Sequence, residues 1–95
     1  MATSVIKQHD PSDPFPILTI PANEDLDNWV QTGFYYVPAG SASTGSHMPT
    51  TSAFNLLVFN RSSNSAVQLA VRSGEMFTRA PTSSGWTTWK KYTGT

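Results

Sequence analysis

The chain has 95 residues, a formal net charge of zero and no cysteine. That length holds one domain, and a domain so small buries only roughly 60–65% of the surface its unfolded chain exposes, so association would add to its stability. Neutrality removes the electrostatic reason for a nucleic-acid or anionic-membrane partner, the missing thiols exclude disulfides and thiolate metal sites, and no apolar run approaches the ~18–20 residues that span a bilayer.

Residues 1–21 read as a Pro-rich arm. Asp10-Pro11-Ser12-Asp13-Pro14-Phe15-Pro16 sets three prolines within six positions, which favours extended backbone and forbids regular ladder bonding. Ile17-Leu18-Thr19-Ile20 is a short apolar run fenced by Pro16 and Pro21, as in an edge strand or a strand that docks on another chain. Phe15, Ile17, Leu18 and Ile20 are therefore the expected anchor to a larger particle, with a disordered tail as the plainer alternative. The first residues, Met1 to Gln8, hold no apolar block of the signal-peptide kind, so synthesis and retention in a cytosol are expected.

Residues 22–95 read as one β domain. Its first element is a helical turn: Asn23 can cap it, Glu24, Asp25 and Asp27 suit its positive end, and Leu26, Trp29 and Val30 share one face. Thr32-Gly33 breaks the turn, and Phe34-Tyr35-Tyr36-Val37 follows as an aromatic strand. Pro38 to Ser52 is a Gly/Ser/Thr/Pro loop without periodicity, either mobile or a contact surface.

A meander comes next, with strands at Phe54–Asn60, Ser65–Arg72 and Glu75–Ala80, and a last strand at Trp86–Tyr92. Arg61-Ser62-Ser63-Asn64 reads as a four-residue turn and Ser73-Gly74 as a two-residue hairpin. If Asn60 faces Ser65, then Phe54, Leu56 and Val58 oppose Val71, Leu69 and Val67. If Arg72 faces Glu75, those residues in turn oppose Met76, Thr78 and Ala80. This register puts Leu69 inside the domain, between Leu56 and Thr78. It leaves Leu57, Phe59 and Phe77 on a second face too apolar to stay bare, with Gln68 and Arg79 at its rim, and these five residues are the expected oligomer interface.

Few residues offer catalytic chemistry. His9 and His47 are not spaced for a metal with any other histidine, and Glu24, Asp25 and Asp27 are better explained by the helix dipole than as paired catalytic carboxylates. There is no nucleophile-elbow or phosphate-binding glycine pattern. The chain reads as no enzyme, with no catalytic or metal residues and no cofactor. Trp86, Trp89 and Tyr92 form a candidate glycan platform, since aromatic faces suit the apolar CH faces of sugars. The alternative is that Trp86 and Trp89 close the core against Trp29 and Phe34.

From residue 25 onward the pattern resembles the knob domain of phage tail fibres, also found in R-type pyocin fibres. The matching pieces are Asp25-Leu26, Thr32-Gly33-Phe34-Tyr35-Tyr36-Val37, Leu56-Leu57-Val58, Val67-Gln68, Phe77-Thr78-Arg79 and Gly85-Trp86-Thr87-Thr88-Trp89-Lys90. The resemblance implies an all-β fold, a small antiparallel meander or sandwich knob with one short N-terminal helical turn, assembled as a homotrimer. It also implies a non-enzymatic virion surface protein, made in the host cytoplasm, whose knob projects and contacts bacterial surface glycan. Low charge, abundant hydroxyls and many aromatics suit such a protein. Fibres of that family are long chains, whereas this one starts at Met1 and stops at the knob. A short tail fibre, a head fibre or a capsid decoration protein, docked on other virion proteins through residues 1–21, is therefore expected. The alternatives are a free-standing carbohydrate-binding module and an accessory domain of a depolymerase. Neither nucleic acid nor membrane insertion is expected.

Overall fold

The computed structural model describes residues 16–62 and 65–94. In chain order the elements are β1 (Ile17–Thr19), a 3-10 turn (Leu26–Asn28), β2 (Gly33–Val37), α1 (Ala39–Thr44), β3 (Phe54–Phe59), β4 (Val67–Arg72), β5 (Glu75–Arg79), β6 (Pro81–Thr82), β7 (Gly85–Trp86) and β8 (Lys90–Thr93). Six strands form one sheet in the order β1-β2-β3-β4-β5-β8, and β6 and β7 make a separate two-stranded hairpin. All pairings are antiparallel except β1 with β2. The fold is therefore mostly β, as the sequence indicates.

The 3-10 turn is capped by Asp25 rather than Asn23: the Asp25 carboxylate accepts from the Asp27 amide at 2.9 Å. Leu26 is fully buried beneath it. The loop expected after β2 contains α1, in which Gly40, Ser41, Ser43 and Thr44 are weak helix formers. Tertiary contact supplies what propensity lacks, because Ser41 and Ala42 are buried and the Ser41 hydroxyl donates to the Ile20 carbonyl at 2.7 Å. Gly45 then brings the chain against the 3-10 turn, where Ser46 N–H donates to Glu24 O at 2.9 Å. A Cβ at Gly45 would sit 2.6 Å from that carbonyl, so the approach requires glycine.

The boundary expected between residues 21 and 22 moves towards the N-terminus. Ile17, Leu18 and Thr19 pair with Phe34, Tyr35 and Tyr36, Leu18 packs on the core, and Ile20 is fully buried. The prolines on either side hold this segment to an edge strand, and the edge it occupies belongs to its own chain. Phe15 and the rest of the arm lie outside the described residues.

The β4–β5 hairpin has the expected register, with Arg72 opposite Glu75 and Val71 opposite Met76. The β3–β4 register does not. Val71 faces Asn55 and Leu69 faces Leu57, one residue away from the expected alignment. Asn60 explains the slip. Its side chain donates to Val30 O at 2.6 Å and its amide donates to the Thr32 hydroxyl at 2.9 Å, so it leaves the β3–β4 ladder to hold the start of β2. The connection consequently runs from 60 to 66 and is not a four-residue turn.

A one-residue slip exchanges the faces of a strand. The covered face thus carries Tyr35, Val37, Phe54, Leu56, Val58, Gln68, Ala70, Phe77 and Arg79, all buried. Trp29, Met48, Trp86 and Trp89 close over it, half-buried. The other face carries Phe34, Tyr36, Leu57, Phe59, Val67, Leu69, Val71 and Met76, partly or fully exposed. The last strand also departs from expectation: Trp86 ends the β6–β7 hairpin, and only Lys90–Thr93 returns to the main sheet.

This register predicts that Leu56→Ala costs about 2–5 kcal/mol, as for other fully buried leucines. Leu69→Ala, on the open face, should cost at most about 1 kcal/mol. Urea unfolding of dilute, monomeric protein checks both, and equal losses at the two positions would restore the alternative register.

Candidate functional site

Alternation along β4 and β5 drives Gln68 and Arg79 inward as a directly opposed pair. A buried cation is costly unless it is paired and hydrogen-bonded, and this one is met from three sides. Arg79 Nε donates to Gln68 Oε1 at 2.7 Å. Arg79 Nη1 lies 2.8 Å from Asp27 Oδ1, with the arginine side chain 2% exposed. The guanidinium sits over both tryptophans, 4.3 Å from the Trp86 ring centre and 4.8 Å from that of Trp89, where ring faces attract cations. Gln68 passes the connection onward, its Nε2 donating to Leu26 O at 2.7 Å and Trp29 O at 2.9 Å.

The ion pair is electrostatic rather than well aligned. Asp27 Oδ1 has no properly directed hydrogen bond, and Arg79 Nη2 finds no acceptor among the described residues. Burial pushes the Arg79 guanidinium below its ordinary pKa, and Asp27 works against that shift.

Asp25 and His47 extend the cluster. His47 Nδ1 lies 2.8 Å from Asp25 Oδ1 and 3.4 Å from Asp27 Oδ2. Its backbone is left-handed, with φ of 59°, and its carbonyl accepts from Trp89 Nε1 at 2.7 Å. The Asp27 backbone N–H and then the His47 ring hold the Asp25 carboxyl below its ordinary pKa. Ligand atoms of Asp25, Asp27 and His47 lie within 4.8 Å of one another, a spacing that a cation would accept. The Arg79 guanidinium beside Asp27 already supplies the positive charge, and the cluster is explained as its counter-charge.

Several expected site residues change place. Leu57 and Phe59 lie on the open face, with Phe59 51% exposed. Gln68, Phe77 and Arg79, grouped with them as interface residues, are buried inside the chain, because the β3–β4 slip reverses which residues share a face. The three rings of the expected glycan platform do not share a surface either. Trp86 and Trp89 are half-buried on Arg79, whereas Tyr92 pairs with Met76 on the opposite face of the sheet. Of the expected anchor, Ile17, Leu18 and Ile20 belong to the fold. Sequence reasoning missed His47 and the Asp27–Arg79 pair. The one available signal was an arginine directly opposite a glutamine across the Ser73-Gly74 hairpin, an arginine that needs a counter-charge if that face turns inward.

The open face is the second feature of note. Across the sheet, Ile17, Phe34, Leu57 and Leu69 form one row, and Tyr36, Val71, Met76 and Tyr92 form the next. Of these, Ile17 is 59% exposed and Tyr92 42%. Lys90, at the sheet edge, is the charged residue on this face among the described strands. Monomeric proteins rarely leave such a surface uncovered.

No protein-family model and no curated protein sequence matches the chain. Its fold is that of part of the R-type pyocin tail fibres. An N-truncated R2-type pyocin tail fibre superposes with a TM-score of 0.74 and 25% identity, over 80% of this chain and 32% of the fibre. C-terminal fragments of the R1 and R2 pyocin fibres of Pseudomonas aeruginosa each give a TM-score of 0.76 over 90% of this chain, at 18% and 24% identity. The chain spans only about a quarter to a third of the solved fibres it matches.

Removing the buried cation should be severe. Arg79→Ala is expected to cost about 3–5 kcal/mol in urea unfolding, since it strands Asp27 and Gln68 and opens the space between the tryptophans. A pH effect follows from Asp25. Its folded pKa lies below the ordinary 3.8, so its contribution is complete above that value and is lost as pH falls through the folded one. Thermal melts between pH 2 and 5 should show this loss, and Asp25→Asn should flatten that part of the profile.

Proposed function

We propose that the chain is a non-enzymatic structural protein of a fibre on a phage or phage-tail-like particle, in which this β domain is the knob. The observation that carries the proposal is the likeness to an R2-type pyocin tail fibre, 25% identical over 80% of this chain. The charged cluster agrees with it, because Asp27 pairs with the buried Arg79 and Asp25 caps the 3-10 turn, so both carboxylates are explained by the fold. On this reading the protein is made in the host cytoplasm and resides on the particle surface as a short tail fibre, a head fibre or a decoration protein.

The knob is a homotrimer on this reading, packed through its open sheet face. An apolar face on a neutral, lightly charged protein invites non-specific association unless a defined partner covers it. Identical copies around an axis would bury Leu57, Phe59, Val71 and Met76 together. Threefold order is what the resemblance to fibre knobs adds. The arm joins the knob to other particle proteins, and since Ile17–Ile20 belong to the domain, residues 1–16 are left for that task. The projecting surface meets bacterial glycan. A free-standing carbohydrate-binding module acting through Trp86, Trp89 and Tyr92 is disfavoured, because two of these rings clasp Arg79 and the third lies on the other face.

Two measurements test the reading. Light scattering should give a trimer for the wild type, and Phe59→Asp should release folded monomers. A monomeric wild type, or an unaffected mutant assembly, would sink the trimer. Deleting residues 1–16 should leave the domain folded while abolishing its incorporation into particles. Normal loading of the truncated protein would place the anchor elsewhere.

A further inference from the structure

β5 and β8 pair from Glu75–Thr93 to Thr78–Lys90, and there the ladder stops. The β6–β7 hairpin leaves the sheet at this point, and the two strands meet again where Thr87 N–H donates to Ala80 O at 2.9 Å and Ala80 N–H donates to the Thr87 hydroxyl at 3.2 Å. The interruption opens a cavity of about 500 Å³, whose lining includes Val67, Thr78, Arg79, Thr87, Thr88, Trp89 and Lys90. It lies at the rim of the open face, at the last strand of the sheet.

The chemistry of this lining is unusual for the molecule. Arg72 and Lys91 both bind Glu75, and Arg79 binds Asp27. Lys90 has no carboxylate partner among the described residues; its ammonium lies 5.7 Å from the Tyr92 ring centre. The Thr78 and Thr88 hydroxyls likewise make no hydrogen bond among the described residues. An unpaired cation, two free hydroxyls, an indole and the Val67 methyls thus converge on one concave surface. Sites of this kind fix a ligand's orientation with a few polar groups on a mainly apolar wall.

We infer that this cavity binds a sugar ring carrying one carboxylate. The Lys90 ammonium pairs with the carboxylate, Thr78 and Thr88 exchange hydrogen bonds with ring hydroxyls, and Trp89 and Val67 contact the CH groups. The Arg79 guanidinium in the wall is already met by Asp27, so Lys90 is the uncompensated cation of the lining. One such ammonium beside neutral hydroxyls suits a singly charged group better than a phosphate, whose higher charge calls for several cationic or backbone N–H donors. The inference deepens the glycan contact proposed above and rests on that reading. It places the contact in this cavity, where Trp89 takes part and Trp86 and Tyr92 do not.

Amide NMR titration of the full chain with glucuronic acid, glucose and glucose 6-phosphate tests it. Glucuronic acid should shift the amides of Thr78, Thr87, Thr88 and Lys90, with a Kd lower than that of glucose by about tenfold or more, as for a charge-assisted hydrogen bond. Lys90→Gln should abolish that preference and leave the remaining spectrum intact, and Thr88→Val should weaken both sugars. Equal binding of glucose, preference for the phosphate, absence of shifts at these amides, or preference retained in Lys90→Gln would each overturn it. Shifts that follow protein concentration and not sugar would also overturn it, since a second copy would then fill the cavity. Particle loading is read separately. A chain that loads but ignores glucuronic acid sinks only the cavity, and one that binds glucuronic acid but fails to load sinks only the fibre reading.

Discussion

A single cation, Arg79, is buried inside the domain, and much of the fold is arranged to make that possible. Its side chain is 2% exposed and meets a carboxylate from the 3-10 turn, an amide oxygen from β4 and two ring faces from the C-terminal segment. These groups come from parts of the chain far apart in sequence, so satisfying one guanidinium joins the N-terminal turn, the central hairpin and the C-terminus. Hydrophobic burial of Leu26, Tyr35, Phe54 and Leu56 supplies the non-directional part of the stability. The Arg79 cluster supplies direction, because its contacts hold only when the turn, β4 and both tryptophans are correctly placed. Such a network is brittle: removal of one member leaves the others desolvated and unpaired.

The same cluster determines which face of the sheet is covered. The 3-10 turn, α1 and the two C-terminal tryptophans all close on the Arg79 side, and nothing in the described chain crosses to the other. Six strands are thus left with one packed face and one open apolar face. A domain of this size has little surplus core, and association through the open face would give it a second one. The sheet edges are guarded differently. β1 is flanked by Pro16 and Pro21, and β8 carries Lys90 and Lys91, both of which discourage edge-to-edge pairing. Edge-to-edge pairing is thereby disfavoured, and the open face is left as the surface a partner could cover.

The likeness to pyocin tail fibres fits this architecture, since a knob within a fibre needs a rigid fold and a defined way to join its neighbours more than it needs a catalytic cleft. The polar groups divide accordingly. Asp25, Asp27 and Arg79 serve the fold, while Lys90 has no carboxylate partner and the Thr78 and Thr88 hydroxyls no hydrogen bond among the described residues. Where β5 and β8 part, the sheet yields regular pairing and gains a concave surface near its rim.

Much of the architecture can be read in the amino-acid sequence. The aromatic strand after Thr32-Gly33, the meander and the Ser73-Gly74 hairpin with Arg72 opposite Glu75 follow from alternation and turn chemistry, which are local. The order and spacing of motifs from Asp25 to Lys90 also point to the fibre knob. The β3–β4 register could not be read in this way. It depends on Asn60 bonding to Val30 and Thr32, a contact across about thirty residues that no local pattern encodes. Because side chains alternate with a period of two, that one contact reversed the positions of Gln68, Leu69, Phe77 and Arg79 between inside and outside. α1 was hidden for a related reason, since a six-residue helix with Gly40 and three hydroxyl residues is held by burial of Ser41 and Ala42 and by the Ser41–Ile20 bond. Composition and local pattern determined the strands and the fold class; the tertiary structure decided which face is inside, because that choice rests on satisfying buried polar groups with partners distant in the chain.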